Sequence, residues 1–148
     1  MNLKYGINLL LPLLTRSVIG RDVLAQLHDV DLTIMFTDIA GYTERTSKQT
    51  LEENAATLRE HAEVVHPLVR GFGGRLIKEI GDAVLAVFAS PTQAVEAAMA
   101  IQDRLTERNL ERPTTEQLRL RVAINVGEVR LERDDVFGEA VNLAARIE

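Results

Sequence analysis

The chain has 148 residues, 46% of them hydrophobic and 26% charged, with a formal net charge of −5. That length supports one domain with a real core, and the composition is neither that of a disordered segment nor that of a membrane span. The acidic balance, the lack of a basic run and 4% aromatics argue against a nucleic-acid surface, and the absence of cysteine excludes disulfides, thiolate metal sites and cysteine nucleophiles.

The opening stretch, MNLKYGINLLLPLL, carries an apolar run from Ile7 to Leu14 that is too short for a bilayer and is interrupted by Asn8 and Pro12. RSVIGRD after it holds no small-residue cleavage site of the secretory kind. Residues 1–30 therefore read as a lead-in segment, with Leu9 to Leu24 packing on the domain or on a partner. The expectation is a cytoplasmic protein with no membrane contact from this segment.

From Leu32 to Phe36 the pattern predicts a buried strand ending at Thr37-Asp38-Ile39-Ala40-Gly41, with Asp29 and Asp31 solvated before it. Leu51, Ala55, Leu58, Ala62, Val65 and Val69 then recur three and four apart, which predicts an amphipathic helix. Ser47 is its expected cap, Pro67 bends or closes it, and Gly71, Gly73 and Gly74 stop it. His61 and His66 do not share a helical face and read as ordinary histidines rather than metal ligands. IKEIGDAVLAVF (Ile77–Phe88) holds a Gly-Asp pair between two β-like runs, the signal of a tight hairpin.

Ser90-Pro91-Thr92-Gln93 starts a second helix, with Ser as cap, Pro in the first turn and Gln completing a capping box. Ala94, Ala98, Ile101 and Leu105 are its expected buried stripe. Asn109 to Gln117 reads as a surface loop. Leu118, Leu120, Val122, Ile124 and Val126 alternate with polar or small residues, which predicts a strand with one face buried. Gly127 to Asp135 reads as a second hairpin, and Phe137-Gly138 leads into a last helix. The order is β, α, β, β, α, β, β, α. The most economical burial for it is an α+β, ferredoxin-like split β-α-β sheet with helices packed on it.

Asp38 and Asp82 each stand at the tip of an apolar run, and this fold can make those runs neighbours. Two carboxylates and a backbone carbonyl suffice for Mg²⁺, which takes its other oxygens from water and phosphate. Thr37 and Gly41 beside Asp38 let a triphosphate approach the backbone. Asn142 and Arg146, four apart, share one face of the last helix, while Val141 and Ala145 can point inward. An amide beside a guanidinium can hold a sugar oxygen and the charge that develops in phosphoryl transfer; the plainer reading is a solvated face. Lys78 and Asp135 are the remaining candidates, against a strand-edge lysine and a turn aspartate.

Four blocks together, IMFTDIAGYT (Ile34–Thr43), GGRLIKEIGDAVLAVF (Gly73–Phe88), RVAINVGEV (Arg121–Val129) and DVFGEAVNLAARIE (Asp135–Glu148), resemble the catalytic domain of class III nucleotidyl cyclases, in the bacterial adenylate cyclase branch. The resemblance runs from about Leu32 to Glu148, so residues 31–148 are expected to form that domain. It implies two Mg²⁺ or Mn²⁺ ions per site, held by Asp38, Asp82 and the Ile39 carbonyl. It also implies adenine selection by Lys78 with Asp135 and transition-state stabilisation by Asn142 and Arg146.

The family acts as a dimer with shared sites, so a homodimer that binds ATP and releases 3′,5′-cyclic AMP and pyrophosphate is implied. Arg130 is similar to a phosphate-contacting arginine of some members; the alternative is an exposed hairpin arginine. The family's domain continues past the N-L-A-A-R segment with a strand hairpin and a triphosphate-binding lysine. The expectation is therefore that this chain lacks the far part of the usual domain and has little or no activity by itself. A guanylate cyclase is the nearest alternative, followed by a catalytically silent dimerisation or nucleotide-sensing domain. A diguanylate cyclase would want a different turn from Gly81-Asp82-Ala83.

Overall fold

Strand β1 (Val30–Ile39) is buried continuously from Leu32 to Ile39, which is how a strand covered on both faces reads. Its side chains divide by parity. Val30, Leu32, Ile34 and Phe36 enter one core, while Met35 and Ile39 enter another on the opposite side. The computed structural model describes residues 29–132 and 134–147. Nearly all of the predicted lead-in segment thus lies outside the described residues.

A short helix α1 (Tyr42–Thr46) and a long one, α2 (Leu51–Gly71), follow β1. The hairpin β2 (Arg75–Ile80) and β3 (Ala83–Phe88) leads to helix α3 (Pro91–Asn109) and a 3-10 turn at Thr114–Glu116. β4 (Leu120–Glu132), β5 (Asp135–Phe137) and helix α4 (Glu139–Ile147) end the chain. The sheet order is β2-β3-β1-β4-β5 with every pairing antiparallel, so β3 separates β1 from β2 as the split β-α-β reading expects. Helices α2 and α3 cover one face through Val64, Val65, Val69, Ala94, Ala97, Ile101 and Leu105.

Several local expectations are corrected. The cap of α2 is Thr50, not Ser47: Thr50 and Glu53 exchange side-chain and backbone bonds in a full capping box. The buried stripe of α2 is Thr57, His61, Val64, Val65 and Val69, and Leu51 in its first turn is 90% exposed. Pro67 does not close the helix, which runs on to Gly71. Ser90 does cap α3 with Pro91 at its start, but the return bond from Gln93 is absent.

The last hairpin differs most from expectation. β4 pairs with β1 as far as Val129, and Arg130 to Glu132 then pair with β5, so the reversal falls after Glu132. Gly127 is inside the strand. A Cβ there would lie 2.7 Å from Cβ of Ala140, so the glycine serves the approach of α4 rather than a turn. Val126 is 53% exposed because the helix-covered core ends at Ile124. The hairpin folds across the face opposite α2 and α3, where Leu131 and Val136 join Leu85, Val87, Ile77, Val141 and Ala144 in the second core. Ala144, not Ala145, is the second inward residue of α4.

Gly74 tests the helix-covered core. A Cβ there would meet the Phe88 ring at 2.5 Å and Val69 at 2.8 Å, and Phe88 is fully buried. Gly74→Ala should destabilise the fold by about 1–3 kcal/mol, the usual range for overpacking, in urea unfolding. A change below ~0.5 kcal/mol would mean that the ring yields freely.

Candidate active site

The β2–β3 turn is two residues long, and only Gly81, at φ 61°, has a positive φ within it. That is the pattern of a turn with glycine at its first central position, which suits the twist of a tight hairpin. It places Asp82 against the end of β1, where the Ile39 N–H donates to Oδ2 of Asp82 at 2.8 Å. Asp82 is thus bonded to the residue that follows Asp38 at one end of the sheet. Asp38 itself is only 7% exposed. Arg121, its cross-strand partner on β4, donates from Nε to Oδ1 at 2.8 Å and from Nη2 to Oδ2 at 2.6 Å.

This arginine is the functional neighbour that sequence reasoning passed over. Strand alternation marks Arg121 only as a polar residue facing away from Leu120 and Val122. The signal that would have found it is the β1–β4 register, which no single strand reveals. Among the described residues there is no cluster of three or more His, Cys, Asp or Glu side chains able to hold a metal. The donor set is two carboxylates with a neighbouring carbonyl, all hard oxygens, which fits a cation that keeps most of its water and phosphate ligands.

Lys78 and Asp135 meet through two features of the backbone. A bulge between Leu76 and Lys78 inserts one extra residue, so Lys78 lies opposite Leu85 and shares its face. Without it, strict alternation would send Lys78 to the side of Leu76, under the helices. The folded-over β4–β5 hairpin then brings Asp135 to it, and Nζ donates to Oδ2 at 2.8 Å, with Arg75 and Asp134 paired alongside at 3.2 Å. Partial burial pushes the Asp135 carboxyl up. The hydrogen bonds from Lys78 and the Val136 N–H, with the Lys78 charge, outweigh it and hold the group below the usual range.

Asn142 and Arg146 lie on the exposed side of α4, and among the described residues neither side chain has a hydrogen-bond or ion-pair partner. The structure does not join them to Asp38, Asp82 or Lys78. The N-terminal end of α4 is fixed by Asn125, whose amide donates to the Ala140 carbonyl at 3.0 Å. A groove of about 790 Å³ opens between β4, β5 and α4, lined by Val126, Arg130, Phe137 and Leu143 among others. Arg130 pairs there with Asp29 at 3.4 Å.

His61 and His66 each meet another side chain. His61 is buried against the Thr37 hydroxyl at 3.3 Å, and burial holds it below the usual imidazole range despite the opposing pull of Asp82. His66 contacts Glu79 at 2.6 Å.

The Lys78–Asp135 pair makes a titration prediction. Asp135 should titrate below the ~3.9 of an unperturbed aspartate, and Lys78→Met should move it upward, as followed by carboxyl ¹³C NMR. Because the folded value is lowered, the pair adds stability above the unfolded value and loses it as pH falls through the folded one. Both groups are about a third exposed, so that contribution is small. An Asp135 that titrates identically in both proteins would contradict the pairing.

Comparison with known proteins places this geometry. Residues 24–148 match the family described as the adenylate and guanylate cyclase catalytic domain. The chain is 47% identical over 118 residues to the serine/threonine-protein kinase pkn2 of Myxococcus xanthus, a match covering 80% of this chain and 14% of that protein. It is 36% identical over 115 residues to putative adenylate cyclase 3 of Rhizobium meliloti, covering 78% of this chain and 20% of that one. The chain thus spans a fifth or less of the length of these curated relatives. Among solved structures, an adenylate/guanylate cyclase/hydrolase from Silicibacter pomeroyi superposes with a TM-score of 0.74 at 32% identity, over 81% of this chain and 70% of that one. With the split β-α-β sheet and a family match over most of its length, the chain belongs to the class III nucleotidyl cyclase catalytic domains.

Proposed function

We propose that residues 31–148 form the catalytic region of an adenylate cyclase that converts ATP to 3′,5′-cyclic AMP and pyrophosphate. The observation that carries the choice of base is the Lys78–Asp135 pair, an ammonium donor and a carboxylate acceptor 2.8 Å apart on one face. Adenine offers an acceptor at N1 beside a donor amino group, so its edge exchanges the ion pair for two hydrogen bonds. Guanine offers N–H donors at the corresponding edge and calls for an acid where Lys78 stands. A guanylate cyclase is the reading this pair disfavours. A silent domain is disfavoured because Asp38, Asp82, Asn142 and Arg146 are all present.

In the proposed reaction the ribose 3′-oxygen forms a bond to the α-phosphorus, the bond from that phosphorus to the pyrophosphate oxygen breaks, and the 3′-hydroxyl proton is lost. Asp38, Asp82 and the Ile39 carbonyl would hold two Mg²⁺ or Mn²⁺ ions, which when bound acidify the 3′-hydroxyl and neutralise the triphosphate. Asn142 orients the ribose, and Arg146 meets the charge that builds on the phosphoryl oxygens.

Lys78 lies on β2 and Asp82 in the turn that follows it, and they serve different ends of a nucleotide. We assign them to opposite sites of a symmetric homodimer, each site taking its carboxylates from one copy and Lys78, Asp135, Asn142 and Arg146 from the other. Two observations support this. Asn142 and Arg146 have no partners among the described residues, and Val126, Phe137 and Leu143 leave apolar surface exposed around the groove between β4, β5 and α4.

The full-length protein should form cyclic AMP from ATP in Mn²⁺ and use GTP poorly. Lys78→Glu with Asp135→Cys should reduce that preference by about 10- to 200-fold, the worth of one or two recognition contacts, without fully inverting it. An unchanged ATP-to-GTP ratio would show that the base is read elsewhere. Asp82→Asn should cost more than the roughly 10- to 100-fold typical of changes behind a metal ligand. Turnover at the wild-type rate would overturn the assignment of Asp82.

A further inference from the structure

The end of β1 is held from the helix-covered side by a buried polar pair. Thr37 and His61 are both buried, and Thr37 Oγ1 and His61 Nε2 are hydrogen-bonded at 3.3 Å. Thr37 lies on the same face of β1 as Met35 and Ile39, which enter the apolar core under α2 and α3. An apolar pair would suit that core about as well, because replacing both partners of a buried hydrogen bond costs little. Thr33, on the same face, is fully buried with no partner for its hydroxyl among the described residues. A hydroxyl here does not by itself call for an imidazole.

The pair sits where the strand begins to lose its support. β1 pairs with β3 only as far as Thr37 opposite Val84, while its pairing with β4 runs on through Asp38 and Ile39. Beyond Thr37 the Asp82 carboxylate accepts from the Ile39 N–H instead. The chain then leaves through Gly41 and α1, none of whose residues is buried. Thr57 and His61 are the first buried residues of α2, so the Thr37–His61 bond closes this segment at its base. Burial holds the imidazole below its usual range, so near neutral pH it brings no positive charge towards Asp82.

Resting on the reading of Asp38, Asp82 and the Ile39 carbonyl as cation ligands, we propose that His61 is a positioning residue: through Thr37 it pins the end of β1 and keeps those ligands in place for a divalent cation. Asp38 alternates with Thr37 along the strand and projects from the other face. His61 therefore acts through the backbone of β1 and touches neither cation nor nucleotide.

The test compares the full-length wild type with His61→Leu, Thr37→Val, the double variant, Thr37→Ser and Asp38→Asn. Hydrogen exchange is read by mass spectrometry over residues 37–41 and, as a control for the whole fold, over β3. Mn²⁺ affinity without nucleotide is read by electron paramagnetic resonance, counting only the binding that Asp38→Asn removes. His61→Leu and Thr37→Val should each weaken that binding about tenfold, as changes behind a metal ligand do, and speed exchange over 37–41 while β3 stays unchanged. The double variant should lose no more than either single one, because each removes the same bond. Thr37→Ser keeps the hydroxyl and should behave as wild type.

Wild-type exchange over 37–41 and wild-type Mn²⁺ affinity in both His61→Leu and Thr37→Val would overturn the proposal. So would an equal rise in exchange over β3, which marks a general loosening. Losses that multiply in the double variant would also overturn it, because they mark two separate roles. If Asp38→Asn removes no Mn²⁺ binding, the ligand reading has failed instead, and the exchange data still decide the role of His61.

Discussion

β1 is hydrogen-bonded along both edges and covered on both faces, and this double enclosure fixes the place of everything that follows. A strand so enclosed cannot shift by one residue without sending Phe36 and Met35 into each other's cores. Asp38 inherits that rigidity. It is the one acidic residue in the buried run from Leu32 to Ile39, and its position is set by that strand together with its pairing to Arg121. The Ile39 N–H then extends the same precision to Asp82, which belongs to a turn that would otherwise be free to sway. Carboxylates fixed in advance in this way suit transfer chemistry, where a slack of about 1 Å can cost on the order of a hundredfold in rate.

The other half of the candidate machinery is positioned by departures from regular structure. The bulge at Leu76–Lys78 turns one lysine from the helix-covered face to the opposite one, and the β4–β5 hairpin folds over to meet it. Gly127 lets α4 pack close to β4, and Val141 and Ala144 seat it in the core beneath the hairpin. Lys78, Asp135, Asn142 and Arg146 are thus carried by elements that share one small core. A change at Gly127 or Val141 would act on all four together.

Much of the fold was legible in the chain because burial writes itself as periodicity. The buried run of β1 and the Ser90-Pro91 start of α3 each carry their own physical reason and each appear in the structure, whereas β4 is covered on both faces, with Ala123 buried opposite Leu120 rather than facing solvent. What was misread needed information from a partner element. The true cap of α2 was visible as Thr50 with Glu53 three residues on, yet Ser47 is an equally good cap in isolation. His61 sits in the buried stripe because Thr37 across the interface receives it, and a polarity pattern cannot show that. The bulge, the fold-over of the last hairpin and the Arg121–Asp38 fork all depend on register between strands far apart in the sequence. Asp38 and Asp82 could be paired as candidates from their strand-end positions, but the bond that unites them, through the Ile39 N–H, belongs to the fold.

The central claim is that each active site is assembled from two copies of the chain. Asp38 and Arg146 are assigned to opposite copies, so full-length D38A and R146A proteins should each be nearly inactive as homodimers. Mixed and allowed to exchange subunits, they form heterodimers in which one site has lost both groups and the other keeps both. Random pairing makes half of the dimers heterodimers with one working site each, so cyclic AMP formation should recover to about a quarter of wild type. A mixture that stays at the level of its components, with exchange verified by differently tagged subunits, would place the whole site within one chain and contradict the account.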